Sequence, residues 1–359
     1  MADIARLSGV STGTVSRTLS GHPAVHPDTR RRVLETVDRL GYRPNQVART
    51  LARGRSATLA ISLPAGDTVV FANPYYVIVA EAIANAASAA GYRVHSAAAR
   101  HVRDRIENVR AVLEAGAEGV ILLDIVEHDP RPEFLARERV PFVIIGRPEN
   151  LPGPWVDVDD AYGAETAVRH LLELGHRRIA HLAGLHDRQV SQIRLGGYRN
   201  ALRAAGARPE PELVEETDYT SLGGYRATNR LLDRAPGVTA IFAVCDEVAI
   251  GAMQALADRG ASVPDDVSVV GFDDLPPSAL LGLTTIRQPI YEVGAAAAAR
   301  LLEWIRQGKE YADWSGTVLP TRLVERHSTR APHGGSGDRQ TPPARAIPTP
   351  KRAGKGGKT

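Results

Sequence analysis

Six polar side chains stand where apolar runs end, and their types limit the chemistry open to the chain. Asn73 opens NPYY (73–76). Arg147 follows PFVIIG (141–146), Arg194 follows RIAHLAG (178–184), Cys245 and Asp246 follow TAIFAV, and Asp273 ends VSVVGF. In open α/β layers, ligands bind at the carboxyl ends of strands, so these are ligand-facing positions. Arg and Asp together grip neighbouring hydroxyls through paired hydrogen bonds, and Phe71, Tyr75 or Trp155 can stack on the face of a sugar ring. Taken singly, Asp160 and Asp246 read as strand-end or cap groups, whereas Arg194 and Asp273 read as ligand groups.

Catalytic constellations are not expected. The carboxylate pairs Asp159-Asp160 and Asp273-Asp274 flank apolar strands or start helices, as structural acids do. The 11 His are scattered without metal-ligand spacing, and His22, His26 and His176 read as turn or surface residues. No GxSxG elbow, GxxxxGK[ST] loop or strand-following GxGxxG is present, so neither a metal nor a cofactor is expected. A single cysteine excludes an intramolecular disulfide and a cysteine-rich zinc module.

A second kind of chemistry is written at the start of the chain. In ADIARLSGVSTGTVSRTLSG (2–21), a short helix ends at Gly9 and Ser11 can cap a second helix, which is helix-turn-helix spacing. Ala5, Val10 and Val15 pack the two helices together, leaving Thr12, Gly13, Ser16 and Arg17 outward. Such a helix fits a DNA major groove, where Arg reads guanine and Thr meets a thymine methyl or a phosphate. A third helix is expected from Pro27 to Leu40 and a fourth, short one from Asn45 to Arg53. Ile4, Leu7, Val10, Val15, Leu19, Val33, Leu34 and Val37 are the expected core of this small unit.

Charge agrees. Residues 1–55 hold ten Arg against four carboxylates, a net +6, and residues 331–359 carry +5, which leaves −8 on the middle of a chain whose total is +3. A basic head on a mildly acidic body suits a polyanion partner for the head alone. The 359 residues are 43% hydrophobic, enough for two or three domains.

From Thr58 the pattern is of short, near-continuous apolar runs alternating with amphipathic stretches. The runs are 59–64, 119–124, 141–146, 178–184, 239–245 and 267–273. Helices are expected at Tyr75–Ala90, Arg105–Ala115, Ala161–Leu174, Gly196–Ala205, Leu222–Arg234, Glu247–Arg259 and Val293–Gln307. Strands apolar on both faces imply parallel sheets covered by helices, and the number of units implies two lobes. The Pro-, Gly- and Lys/Arg-rich stretch 331–359 reads as a disordered basic tail. MADIARLSGV has no secretory pattern and no run of about 18 apolar residues occurs, so the expected compartment is the cytoplasm.

Several segments together resemble one family. VSTGTVSRTLSG, TRRRVLETVDRLGYRPNQVARTLARG (29–54), NPYY, LGHRRIAHLAG (174–184), RLGGYRNAL (194–202), DEVAIGAM (246–253), VPDDVSVVGFDD (263–274) and TTIRQP (284–289) are similar, in order, to bacterial transcription regulators of the lactose-repressor (LacI/GalR) family. The resemblance spans about residues 2–328. It implies an all-α helix-turn-helix head (1–43), a hinge helix and linker (44–55), and an α/β body (56–330) with two parallel-sheet lobes of periplasmic-binding-protein type. It also implies a homodimer on a near-palindromic operator. By position, Thr12, Gly13 and Arg17 would read bases, and Thr14 and Ser16 would touch phosphates. Asn45 would start the hinge helix, and Leu51 would enter the minor groove. Asn73, Arg194, Phe272 and Asp273 would line an effector cleft, with Asp160, Cys245 and Gln288 nearby.

There are departures. The first helix starts at Ala2-Asp3, where the family has a capping Thr, and Gly13 and Cys245 replace a base-reading side chain and an Asn.

The expected function is therefore a cytoplasmic transcription regulator, a repressor whose effector is a small carbohydrate. A stand-alone sugar-binding receptor would share the body but lack the basic head. A Rossmann-type enzyme would need a phosphate-cradling glycine loop.

Overall fold

The computed structural model describes residues 1–19, 22–41, 56–63, 73–98, 104–148, 151–308, 311 and 314–332. The expected hinge helix with Asn45 and Leu51, the residue Phe71, and nearly all of the basic tail lie outside them.

The head is three helices, α1 (Ala2–Ser8), α2 (Thr12–Leu19) and α3 (Pro27–Arg39). Gly9 ends α1 at φ 67°, a left-handed conformation that costs glycine little. Ser11 Oγ accepts from the Thr14 amide at 3.1 Å and starts α2. Met1 gives α1 no side-chain cap, in keeping with the missing Thr. Ile4, Ala5, Val15 and Val33 form the core, with Val10, Leu19 and Val37 at its edge. Leu7 and Leu34 do not join it, being 42% and 43% exposed. Their helices turn a narrow apolar stripe inward, and both residues fall off it.

The body has two six-stranded sheets. The first lobe contains β1 (Thr58–Leu63), β2 (Arg93–Ala98), β3 (Gly119–Leu122), β4 (Phe142–Ile145), β5 (Trp155–Val158) and β11 (Gly316–Leu319). The second contains β6 (Ile179–Ala183), β7 (Val214–Glu216), β8 (Ala240–Ala243), β9 (Ser268–Asp273), β10 (Thr284–Arg287) and β12 (Arg322–Val324). Their orders are β11-β5-β4-β3-β1-β2 and β12-β10-β9-β8-β6-β7, parallel except for β10 against β12. Helices cover both faces, which is why the central strands are apolar throughout: Leu59, Ile61 and Leu63 enter one core and Ala60 the other.

Among the described residues the chain passes between the lobes after β5, after β10 and between β11 and β12. Helix α7 (Asp160–Glu173) packs on the second sheet, and α12 (Ile290–Gln307) packs on the first. Before α7 in the chain lie α4 (Pro74–Ala89), α5 (Arg105–Glu114) and α6 (Pro130–Arg137), and between α7 and α12 lie α8 (Gln189–Ala204), α9 (Ser221–Arg234), α10 (Asp246–Asp258) and α11 (Pro276–Leu280).

Helix α8 starts at Gln189, seven residues before the expected Gly196. Its first turns bury polar Ser191 and Arg194, so the apolar rhythm is absent there. His176 is also not a surface residue. It is 1% exposed and its ring bonds Thr239 Oγ1 at 3.0 Å and the Arg330 carbonyl at 2.9 Å.

Candidate functional site

The carboxyl ends of both sheets face each other across a cleft. This cleft is about 910 Å³, counted together with the solvent at its open side. Its wall includes Asn73, Arg147, Asp160, Arg194, Cys245, Asp273 and Gln288, seven of the eight positions expected to meet an effector. The eighth, Phe272, stands behind the wall, fully buried with the Arg194 guanidinium 3.6 Å above its ring.

Arg194 is the centre of the second lobe's wall. Its Nε and Nη2 donate to Asp160 Oδ1 at 2.8 and 2.7 Å, Nη1 donates to the Val244 carbonyl at 2.5 Å, and Nη1 lies 3.8 Å from Asp273. Burial opposes its charge, yet Asp160 and Asp273 outweigh that and hold the guanidinium firmly protonated. Asp160, which read singly as a cap, is thus both a helix-start residue and the partner that aims Arg194. Gln288 Nε2 donates to Asp273 Oδ1 at 2.5 Å. Asp273 sits at φ 122° and Asp274 at φ 61°, backbone strain of the kind that persists at binding sites because the surroundings enforce it. The neighbouring acids divide the work: Asp273 faces the cavity, while Asp274 pairs with Arg287 and Arg326.

Asp246 turns away from ligand work. It is fully buried and accepts from the Leu275 amide, Ser278 Oγ and Thr285 Oγ1. Asn73 serves partly as a cap, its Oδ1 accepting from the Tyr75 amide at 2.9 Å, which leaves the Nδ2 hydrogens for a ligand. Burial raises the Cys245 thiol well above its ordinary range, so it is a neutral group in the wall.

Two features were not read from the sequence. Asp157, on β5, lines the cavity. WVDV breaks the apolar run that marks a buried strand, so neither strand nor residue stood out. At the cleft mouth, Asp124 is held by Arg105 of its own lobe at 3.1 Å and by Arg188 of the other lobe. Glu127 N–H also donates to the Asp187 carbonyl across the gap at 3.1 Å. Long-range pairing of this sort leaves no local pattern.

In the head, Thr12, Gly13, Ser16 and Arg17 are exposed on one side of α2, while Val15 and Thr18 are buried on the other. Thr14 is half-buried, and its hydroxyl shares a 3.0 Å hydrogen bond with Ser11. Arg6, Arg31, Arg32 and Arg39 add exposed positive charge to the unit.

Comparison with known proteins bears on both sites. Residues 1–45 match the profile of bacterial regulatory proteins, lacI family, and residues 168–329 match that of the periplasmic binding protein-like domain. The chain is 37% identical to the HTH-type transcriptional regulator CelR of Thermobifida fusca over 333 residues, covering 90% of this chain and 96% of the relative. It is 33% identical to catabolite control protein A of Priestia megaterium, covering 91% and 98%. Among solved structures, a CelR–cellobiose complex superposes with a TM-score of 0.72 at 36% identity, covering 90% and 98%. The lac repressor dimer bound to operator and the anti-inducer ONPF superposes at 0.80 with 29% identity, covering 92% and 98%.

Proposed function

The chain belongs to the LacI family of bacterial regulatory proteins and is a DNA-binding transcription regulator; we propose that it is a cytoplasmic repressor whose hold on its operator is set by a small carbohydrate bound between the lobes. The observation that carries this reading is the two-sided cavity. Asn73 and Arg147 come from one lobe and Arg194 and Asp273 from the other, so a ligand that touches both sets reports lobe closure. A ligand shifts a conformational equilibrium only through unequal affinity for its states, and groups divided between moving bodies supply that inequality.

The output is the head. In a homodimer, two α2 helices enter successive major grooves, with Thr12, Gly13 and Arg17 at base edges and Thr14 and Ser16 at phosphates. Asn45 and Leu51 belong to the segment joining head and body, where a leucine wedge would kink the minor groove. Lobe closure alters the spacing of the two attachment points, and with it the fit of both heads to a near-palindromic site. A role in binding and switching rather than catalysis is supported by Asp160, Asp273 and Asp274, which are engaged by Arg194, Gln288, Arg287 and Arg326.

Operator affinity measured by fluorescence anisotropy, with and without saturating sugar, tests this. Cellobiose, the ligand named for the CelR complex, is the first sugar to try. Wild type should show a sugar-dependent change in affinity. Asp273→Asn keeps the shape and the Oδ1 that Gln288 donates to, so it should bind operator normally and need at least tenfold more sugar. A full response at wild-type sugar concentration would remove Asp273 from the site.

A further inference from the structure

The second lobe's wall of the cavity is internally satisfied, but the first lobe's wall is not. Arg147 has no hydrogen bond or ion pair among the described residues; its Nε is buried and unmet, and the guanidinium lies 5.3 Å from the Trp155 ring centroid. Asp157 is on the adjacent strand and 8% exposed; the Val158 amide bonds it, and no side chain among the described residues does. Its neighbours Val156 and Val158 point into the core behind the sheet, so strand alternation turns Asp157 the other way, to the cavity wall. A buried guanidinium N–H without a hydrogen bond is costly, and a protein retains it where a ligand completes it, with the Asp157 carboxylate beside it as an acceptor.

We propose that Asp157 and Arg147 are the selectivity element of this cleft, an acceptor beside a donor that takes the hydroxyls of an uncharged polyol and turns away charged sugars. The inference rests on the carbohydrate reading above and deepens it. A hydroxyl both donates and accepts, so vicinal hydroxyls meet Asp157 and Arg147 together. A carboxylate or phosphate on the ligand would suit Arg147 but would face Asp157, Asp160 and Asp273, with Arg194 already bound to the last two. An ammonium would suit Asp157 but would sit between Arg147 and Arg194. Either mismatch leaves a like charge opposed in a partly desolvated site, which is how binding sites reject near-isosteres. Burial and the nearby Asp160 raise the Asp157 acid, against the Val158 amide and the Arg147 and Arg194 charges.

The test uses the full chain, with thermal shift and calorimetry against neutral mono- and disaccharides and their matched uronates, phosphates and 2-amino derivatives. Wild type should bind a neutral sugar at least a hundredfold tighter than its charged counterparts. Asp157→Asn should weaken the neutral sugar about tenfold and narrow the neutral-to-uronate ratio by at least tenfold. Arg147→Gln should narrow the neutral-to-amino ratio instead. Unchanged operator binding and far-UV dichroism would report that both variants fold. Ratios that stay at wild-type values while affinity or stability falls would make the pair structural and overturn the proposal. A uronate or phosphate bound by wild type as tightly as the neutral sugar would overturn it and leave the carbohydrate reading standing. If no sugar of any charge bound, both would fall.

Discussion

Residue type alone does not decide a role in this cleft; neighbours do. Asp246 and Asp273 both lie at strand ends of the second sheet, yet one receives three protein donors and the other faces the cavity. His181 shows the same dependence on surroundings. It is stacked between Tyr198 and Phe242, with ring centroids at 5.1 and 4.8 Å, and Nδ1–H donates to the Phe242 carbonyl. Burial pushes its pKa down to about 4, with the positive charges of Arg194 and Arg199 adding to the effect and the Phe242 carbonyl opposing it. The neutral ring is therefore the folded form, and its contribution is intact above the ordinary pKa of about 6.5 and lost as pH falls from there through about 4. Across that window wild type should lose about 3 kcal/mol more than His181→Phe, which has nothing to titrate. Urea unfolding at pH 7, 5 and 4 would check this; parallel pH profiles for the two proteins would refute it.

At the level of the element, α2 shows a conflict between propensity and use. Gly13 is the second residue of a short helix, where glycine costs up to about 1 kcal/mol relative to alanine. A Cβ there would meet only Ser11 Oγ at 3.7 Å, an ordinary contact. Gly13→Ala should therefore stabilise the head by up to about 1 kcal/mol. If the bare backbone is what lets α2 approach base edges, the same change should weaken operator binding. Thermal melts and operator titrations of the one variant separate the two effects. Arg17, one turn further along the exposed side, should behave in the ordinary way. Arg17→Ala should cost about 1–3 kcal/mol of operator binding and relax specificity at one position per half-site. Selection from randomised operator sequences would detect that relaxation, and unchanged selectivity would exclude Arg17 from base reading.

For the molecule as a whole, the mouth of the cleft is closed by charge. Asp124 is shared by Arg105 and Arg188, and Arg105 is tied through Asp129 at 2.6 Å to buried Arg131. Only the Arg188 link crosses between lobes in this cluster, so it is the member whose loss frees the lobes without dismantling the first. Arg188→Gln should shift the lobe equilibrium towards opening. Small-angle scattering of the sugar-free protein should register a larger radius of gyration, and apparent sugar affinity should fall in proportion to the closed fraction lost. Identical scattering curves and affinities would mean that the backbone link from Glu127 to Asp187 suffices to hold the closed form.

Period and punctuation in the sequence determined the layers. Gly9 and Ser11 mark the turn of the head, and runs such as GVILLD and TAIFAVC mark strands covered on both faces, because these signals are local and repeat at the spacing of the element. Six of the cavity's groups were legible for a related reason: each directly follows an apolar run or belongs to a motif with its own fixed neighbours, whereas Asp160 was placed there only by the family resemblance. The tertiary structure decided what depends on the other side of the chain. Edge strand β2, exposed and half polar, carries no apolar run, and β5 is disguised by Asp157, whose polarity suits the cavity rather than the strand. The start of α8 was hidden because Arg194 and Ser191 occupy its buried face, and their partners, Asp160 and Tyr219, lie 34 and 28 residues away in the chain. Burial is a property of the assembled lobes. A polar side chain in a buried position becomes intelligible only when the group that satisfies it, or the cavity that leaves it unsatisfied, has been brought alongside by the fold.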